Sequence, residues 1–252
     1  LVVANYNNGT IAAFPIHDDG SLGEAATAIQ HTGKGPDPKR QEGPHAHCAT
    51  VSKDNRFVLI NDLGLDEVKI YKLDASKAQL TPNDPPYGKS PAASGPRHLA
   101  FHPSGKYAYV VNEMQSSTTA FAWDAARGSL TELQTISDLP GGKDVPGNSG
   151  AEIVVHPSGK FVYSSNRGHD SIAVFAVDGK TGKLKVVEYA STQGKTPRGF
   201  GIDPTGQFLI AGNQDSDSLV VFRIDQKTGK LTPTGQVFQV GMPVCVQFLA
   251  LK

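Results

Sequence analysis

The chain has 252 residues, with 24 Lys plus Arg against 24 Asp plus Glu and a formal net charge of zero. Balanced charge gives no long-range field for nucleic acid or an anionic membrane surface, and no apolar run approaches the roughly 18 residues that a spanning helix needs. Its 38% hydrophobic residues, 27 Gly and 17 Pro fit a soluble, turn-rich globular protein, and two cysteines, Cys48 and Cys245, make no disulfide framework and suit a reducing cytoplasm.

In chain order, "LVVANYNNGTIAAFPIHDDGSLGEAATAIQ" (1–30) reads as three short strands separated by turns. "VSKDNRFVLIND" from Val51 then opens a unit that returns as "FHPSGKYAYVVN" from Phe101, "VHPSGKFVYSSN" from Val155 and "IDPTGQFLIAGN" from Ile202. Each continues into a β-like run with an aromatic residue, "VKIYKLD", "TTAFAWD", "IAVFAVD" or "LVVFRID", then a turn such as "GKTGKL" and a last short run. One unit is therefore four strands, a to d, over about 50 residues, which predicts β-propeller blades. The first 30 residues match strands b, c and d, and "GMPVCVQFLA" (241–250) matches strand a. The expectation is one all-β domain over 1–252, a β-propeller of five four-stranded antiparallel blades, closed by pairing of the N- and C-terminal strands. Closure would put Cys48 and Cys245 on adjacent blades. The alternative is an open fragment of a seven-bladed propeller.

Stacking the units separates repeated residues from variable ones. Asn5, Asp62, Asn112, Asn166 and Asn213 recur after strand b and read as turn stabilisers. Phe14, Tyr71, Phe121, Phe175 and Phe222 read as core between blades. His102 and His156 read as decoration of the "HPSG" turns. Other columns change chemistry from blade to blade. His47, Arg97, Ala151, Arg198 and Val244 stand at the entry to strand a, followed by Cys48, His98, Glu152, Gly199 and Cys245. Tyr6, Leu63, Glu113, Arg167 and Gln214 stand just past strand b.

Strand a enters and strand b leaves on the same rim, because they are antiparallel neighbours. With strand a innermost, His45, His47, Arg97, His98, Glu113, Glu152, Arg167 and Arg198 should gather at one mouth of the central channel, and the "HPSG" turns at the other. The loop "RQEGPHAHC" (40–48) adds Arg40. Guanidinium forks suit carboxylate or phosphate, and a merely solvated rim gives no reason to set arginines beside the channel. A metal is not expected: HExxH, CxxC pairs and carboxylate-rich loops are missing, and the arginines disfavour a cation. No P-loop, GxGxxG or GxSxG motif is present, and no cofactor is expected.

The stretches "GPDPKRQEGPHAHC", "DLGLDEVKIY", "GPRHLAFHPSGKYAYVVNE", "SSNRGHDSIAVF" and "TPRGFGIDPTGQF" resemble the bacterial lactonase family with a seven-bladed propeller. That family includes 6-phosphogluconolactonases and is similar to the carboxy-muconate lactonizing enzymes. The resemblance covers essentially the whole chain. It implies a hydrolase acting on a phosphorylated sugar lactone, with a carboxy-muconate cycloisomerase or a non-catalytic, truncated or engineered scaffold as alternatives. The lactonizing enzymes' set of one His, two Arg and a Glu falls on His45 or His47, Arg97, Glu113 and Arg167. His47, Glu113, Arg97 and Arg167 are thus expected to be catalytic, with Glu113 or His47 as general base, and Arg40, His45, His98, Glu152 and Arg198 to bind substrate. The chain carries material for five blades where the family has seven, beginning like the middle of the family's third blade. A cytoplasmic monomer taking a small anionic substrate, without nucleic acid or membrane partners, is the resulting expectation.

Overall fold

Each repeat folds into one antiparallel sheet whose strands lie side by side in chain order. The computed structural model describes residues 1–143 and 145–249. Its N-terminal sheet has three strands, β1 (Val2–Asn5), β2 (Thr10–Ala13) and β3 (Thr27–Gln30). The second blade is β4 (Ala46–Val51), β5 (Phe57–Asp62), β6 (Glu67–Asp74) and β7 (Gln79–Lys89). The third is β8 (Pro96–Phe101), β9 (Tyr107–Asn112), β10 (Ser117–Asp124) and β11 (Ser129–Ser137). The fourth is β12 (Ser149–Val155), β13 (Phe161–Arg167), β14 (Ser171–Val177) and β15 (Leu184–Ser191). The fifth is β16 (Pro197–Ile202), β17 (Phe208–Asn213), β18 (Ser218–Ile224) and β19 (Leu231–Gln239).

The second strand of a blade is covered on both faces by its neighbours, so "FVLIND" of β5 and "YAYVVN" of β9 are buried along their whole length. The innermost elements meet in sequence: β1 on β4, β4 on β8, β8 on β12 and β12 on β16. Each of these four junctions carries its own apolar cluster, with Tyr71, Phe121, Phe175 and Phe222 divided among them. The repeated Asn column does turn work. Asn112 Nδ2 donates to Ser117 Oγ at 3.0 Å and Thr119 Oγ1 at 2.8 Å, and Asp62 Oδ1 accepts from the His45 amide at 2.8 Å.

The ring is not closed by pairing of the terminal strands. The first sheet stops at three strands with β1 at its edge, and residues 243–249 form no strand. The run 243–248 lies instead beside β16: a Cβ on Gly199 would sit 2.4 Å from the Val244 carbonyl oxygen. The expected strand a therefore occupies a next blade position without a second strand to pair with; its last residue, Ala250, lies outside the described residues. Packed side chains in the four clusters set the angle between successive sheets, and opening that angle far enough to close five blades would unpack all four. Both ends of the arc expose apolar side chains. Val237 and Phe238 of β19 are 50% and 54% exposed, and Ile16 beyond β2 is 61% exposed.

On the face of the "HPSG" turns, His102 and His156 tie blades together. His102 Nε2 donates to the Gly159 carbonyl at 2.8 Å and His156 Nε2 to the Gly206 carbonyl at 2.9 Å, each on the next blade, while each Nδ1 accepts from its own turn. Between the third and fourth blades, fully buried Asp138 accepts from Thr118 Oγ1 on one side and Ser164 Oγ on the other, both at 2.7 Å. Burial outweighs these two hydrogen bonds and pushes its carboxyl up from 3.8 to about 6.

Between those two values the folded protein keeps a proton that the unfolded chain has lost. The contribution of Asp138 to stability is therefore fullest below about pH 4, falls as pH rises to about 6, and is level above. Asp138→Asn keeps the shape and removes the titration. Urea midpoints measured from pH 4 to 6.5 should fall in the wild type relative to the variant; parallel profiles would count against a buried, titrating Asp138.

Candidate active site

The loop that precedes β4 is built to present Arg40. Fully buried Gln41 donates through Nε2 to the Leu63 carbonyl at 2.8 Å and to Asp66 Oδ1 at 2.7 Å, pinning the loop against the second blade. The Arg40 amide donates to Asp37 Oδ1 at 2.9 Å, so the turn is closed on itself. Arg40 then reaches out of its own blade. Its Nη2 donates to Glu113 Oε1 at 2.6 Å and to Tyr6 Oη at 3.2 Å.

Glu113 is the hub. Its other oxygen, Oε2, accepts from Arg97 Nε at 3.0 Å and Arg167 Nη2 at 2.9 Å. Arg97 is 3% exposed and also donates through Nη1 to the Ala151 carbonyl; Arg167 donates to the Gly150 carbonyl at 3.0 Å. Burial alone would raise the Glu113 carboxyl, but the Arg167 charge, the Arg40 hydrogen bond and the Arg97 charge together hold it at about 2. Burial and the Arg167 charge bring Arg97 down to about 10, against the pull of Glu113 and Glu152, so it stays protonated. Hydrogen bonds to Glu113 and Tyr6 raise the half-exposed Arg40.

Tyr6, Arg40, His47, Glu113, Arg167 and Arg198 line one cavity of ≈ 460 Å³. Each of the five blades contributes to it: Tyr6 from just past β1, His47 from β4, Glu113 from just past β9, Arg167 from the end of β13 and Arg198 from the start of β16. Burial, then the positive charges of Arg97 and Arg198 and the neighbouring His98, push the His47 imidazole down to about 2, with Glu113 opposing. It is therefore neutral at ordinary pH. His47 Nδ1 is buried and has no hydrogen-bond partner among the described residues.

The remaining residues of the expected site stand behind this lining. His98 Nδ1 lies 2.8 Å from Glu152 Oε1, and its ring meets His47 edge-on at 5.1 Å. His45 stacks on Tyr6 at 4.6 Å and its Nδ1 donates to the Tyr6 carbonyl at 2.9 Å, so it holds the tyrosine. Tyr6 is a lining residue that the sequence reading does not include: it stands in the variable column with Glu113 and Arg167, and that position is the signal that points to it. No group of three or more His, Cys, Asp or Glu side chains positioned for a metal occurs among the described residues.

A second cavity of ≈ 490 Å³ opens on the opposite face, lined by Val51, Ser52, Phe101, His102, Pro103 and Trp123 among others. It marks a gap in the repeat. Ser52 stands where the turns of the third and fourth blades have His102 and His156, so no imidazole crosses to Gly105; a Cβ there would meet nothing within 4 Å, whereas at Gly159 and Gly206 it would strike the histidine ring.

The family described as "Lactonase, 7-bladed beta-propeller" matches residues 1–248. The chain belongs to this family. It is 43% identical over 250 residues to a 6-phosphogluconolactonase of Bacillus subtilis, a match covering 99% of this chain and 70% of that protein. A 6-phosphogluconolactonase of Formosa agariphila is 35% identical, over 81% of this chain and 57% of its own length. Among solved structures, a periplasmic gluconolactonase of Pseudomonas aeruginosa superposes with a TM-score of 0.92 at 34% identity, covering 100% of this chain and 70% of that one. The chain thus spans 70% of some relatives and little over half of others. No helix among its described residues is long and apolar enough to cross a membrane.

Removing the hub should unbalance this site. Glu113→Gln leaves Arg97 and Arg167 buried without a counter-charge, a change that costs about 3–5 kcal/mol for a buried pair. Because Arg40 is 43% exposed and can turn to water, the lower end is expected. Urea denaturation at pH 7 measures it; a loss under about 1 kcal/mol, within the range of an ordinary surface substitution, would mean that the ion cluster is not organised by Glu113.

Proposed function

We propose that this cavity binds and hydrolyses a sugar lactone carrying an anionic group, as the names of the relatives indicate for those proteins, with 6-phosphogluconolactone as the substrate class. The observation that supports it is the charge balance. Arg40, Arg167 and Arg198 line one cavity with buried Arg97 beside it, and only Arg40, Arg97 and Arg167 share the Glu113 carboxylate, so the site is strongly positive and complementary to a compact anion.

The same geometry divides the chemical roles. Both oxygens of Glu113 are taken up by guanidinium donors, which suits it to positioning rather than to accepting a proton. His47 is a neutral imidazole in the cavity wall and takes the part of general base. Water attacks the lactone carbonyl carbon while His47 accepts its proton. Arg167, which lines the cavity, donates to the carbonyl oxygen as negative charge builds there. The tetrahedral intermediate collapses with cleavage of the bond to the ring oxygen, which takes the proton back from His47 and leaves an open-chain acid. Binding a dianion beside the arginines offsets the positive field that weakens His47 as a base, so substrate itself raises the proton affinity of the imidazole. Two free cysteines, Cys48 and Cys245, support a reducing, cytoplasmic setting for the reaction.

Acid release from 6-phosphogluconolactone at constant pH, corrected for spontaneous hydrolysis, tests the reading. The wild-type chain should accelerate it, and His47→Ala should lower kcat by roughly 10²-fold or more. Because His47 is deprotonated above about pH 2 in the free protein, it contributes no acid limb to kcat/KM between pH 5 and 8. A wild-type rate equal to the spontaneous one would refute the hydrolase reading for this chain.

A further inference from the structure

Arg198 stands apart from the other arginines of the cavity. Arg40, Arg97 and Arg167 all bond to Glu113, and Arg97 and Arg167 bond to backbone carbonyls as well. Their guanidinium planes are fixed before any ligand arrives. The Arg198 side chain lines the same cavity and makes no hydrogen bond or ion pair among the described residues. It comes from β16, on the blade beyond Arg167, and its charge is felt at His47, Arg97 and Arg167, so it lies close to the cluster. A cation held beside three others without its own carboxylate is electrostatically unfavourable until an anion joins it.

From this arrangement we infer that Arg198 is the specificity residue of the site: it receives the phosphate monoester of the substrate and thereby distinguishes phosphorylated from unphosphorylated lactones. The inference rests on the lactonase reading above and assigns the two ends of the ligand within it. The carbonyl end lies toward His47 and Arg167; the phosphoryl end lies toward Arg198, whose donors are all available for a bidentate contact. A cavity of ≈ 460 Å³ is ample for a six-carbon phosphosugar. The relatives make the distinction a live one, since one is named for a phosphorylated lactone and another for gluconolactone.

The test is the ratio of kcat/KM for 6-phosphogluconolactone to kcat/KM for δ-gluconolactone. One charge-assisted contact to phosphate is worth roughly 10-fold or more, so Arg198→Gln should lower the ratio at least about 10-fold, chiefly through KM for the phosphorylated substrate. Arg198→Lys, which keeps charge but loses the fork, should restore part of it. Arg167→Gln should depress both substrates and leave the ratio nearly fixed. A ratio unchanged in Arg198→Gln overturns the assignment while leaving the lactonase reading intact. If the wild type accelerates neither lactone, that reading fails on its own, and calorimetric titration with 6-phosphogluconate decides the role of Arg198. An affinity at least about 10-fold weaker in a folded Arg198→Gln variant supports it, and an equal affinity overturns it.

Discussion

The carboxylate of Glu113 is the point on which the rest of the site depends. Three guanidinium groups share it, one from the loop before β4, one from β8 on its own blade and one from β13 on the next. Like charges this close repel strongly in a water-poor setting. Only a carboxylate between them allows all three to be buried or half-buried together. A buried ionic cluster of this kind adds little net stability over an apolar replacement, because desolvation offsets attraction. Its consequence is positional: three blades must sit in fixed relation for the three donors to meet two oxygens.

Stability comes from elsewhere, and the division is visible between the two rims. Away from the site, neutral hydrogen bonds recur from blade to blade. Tyr109 Oη donates to the Gly182 carbonyl at 3.1 Å and Tyr163 Oη to the Gly229 carbonyl at 2.8 Å, beside the His102 and His156 ties. Each joins a blade to its successor and accompanies the apolar cluster at that junction. At the other rim the Asn column repeats, but the positions beside the channel do not. Equivalent positions hold His47, Arg97, Ala151 and Arg198, and the result is a polar cavity that a symmetric ring could not make.

The ends of the arc follow from the same packing. Between blades, the outer strand β15 is half-buried along most of its length, whereas β19 is exposed beyond its first residue because no further blade covers it among the described residues. The angle between sheets is a property of the side chains in each junction, and it does not relax to suit the number of blades. The cavity is nevertheless lined from every blade present, which is why its arginines converge although the arc is not closed by strand pairing.

The linear sequence determined what a residue's neighbours along the chain decide. Repeats of about 50 residues with alternating apolar positions specify four-stranded blades, and unrepeated polar residues at equivalent positions mark the inner rim, which assigns Arg97, Glu113, Arg167 and Arg198 to one face. Side-chain partnership could not be read this way. That Glu113 is saturated by arginines, that His45 serves Tyr6 rather than the cavity, and that Arg198 alone among those arginines has no carboxylate all depend on distances of a few ångströms between different blades. Closure escaped the sequence for a related reason. Strand register is local, whereas the angle between sheets is set by how whole junctions such as Val58, Ile60 and Tyr71 against Ile11 fill space, and that is decided only when the chain is packed.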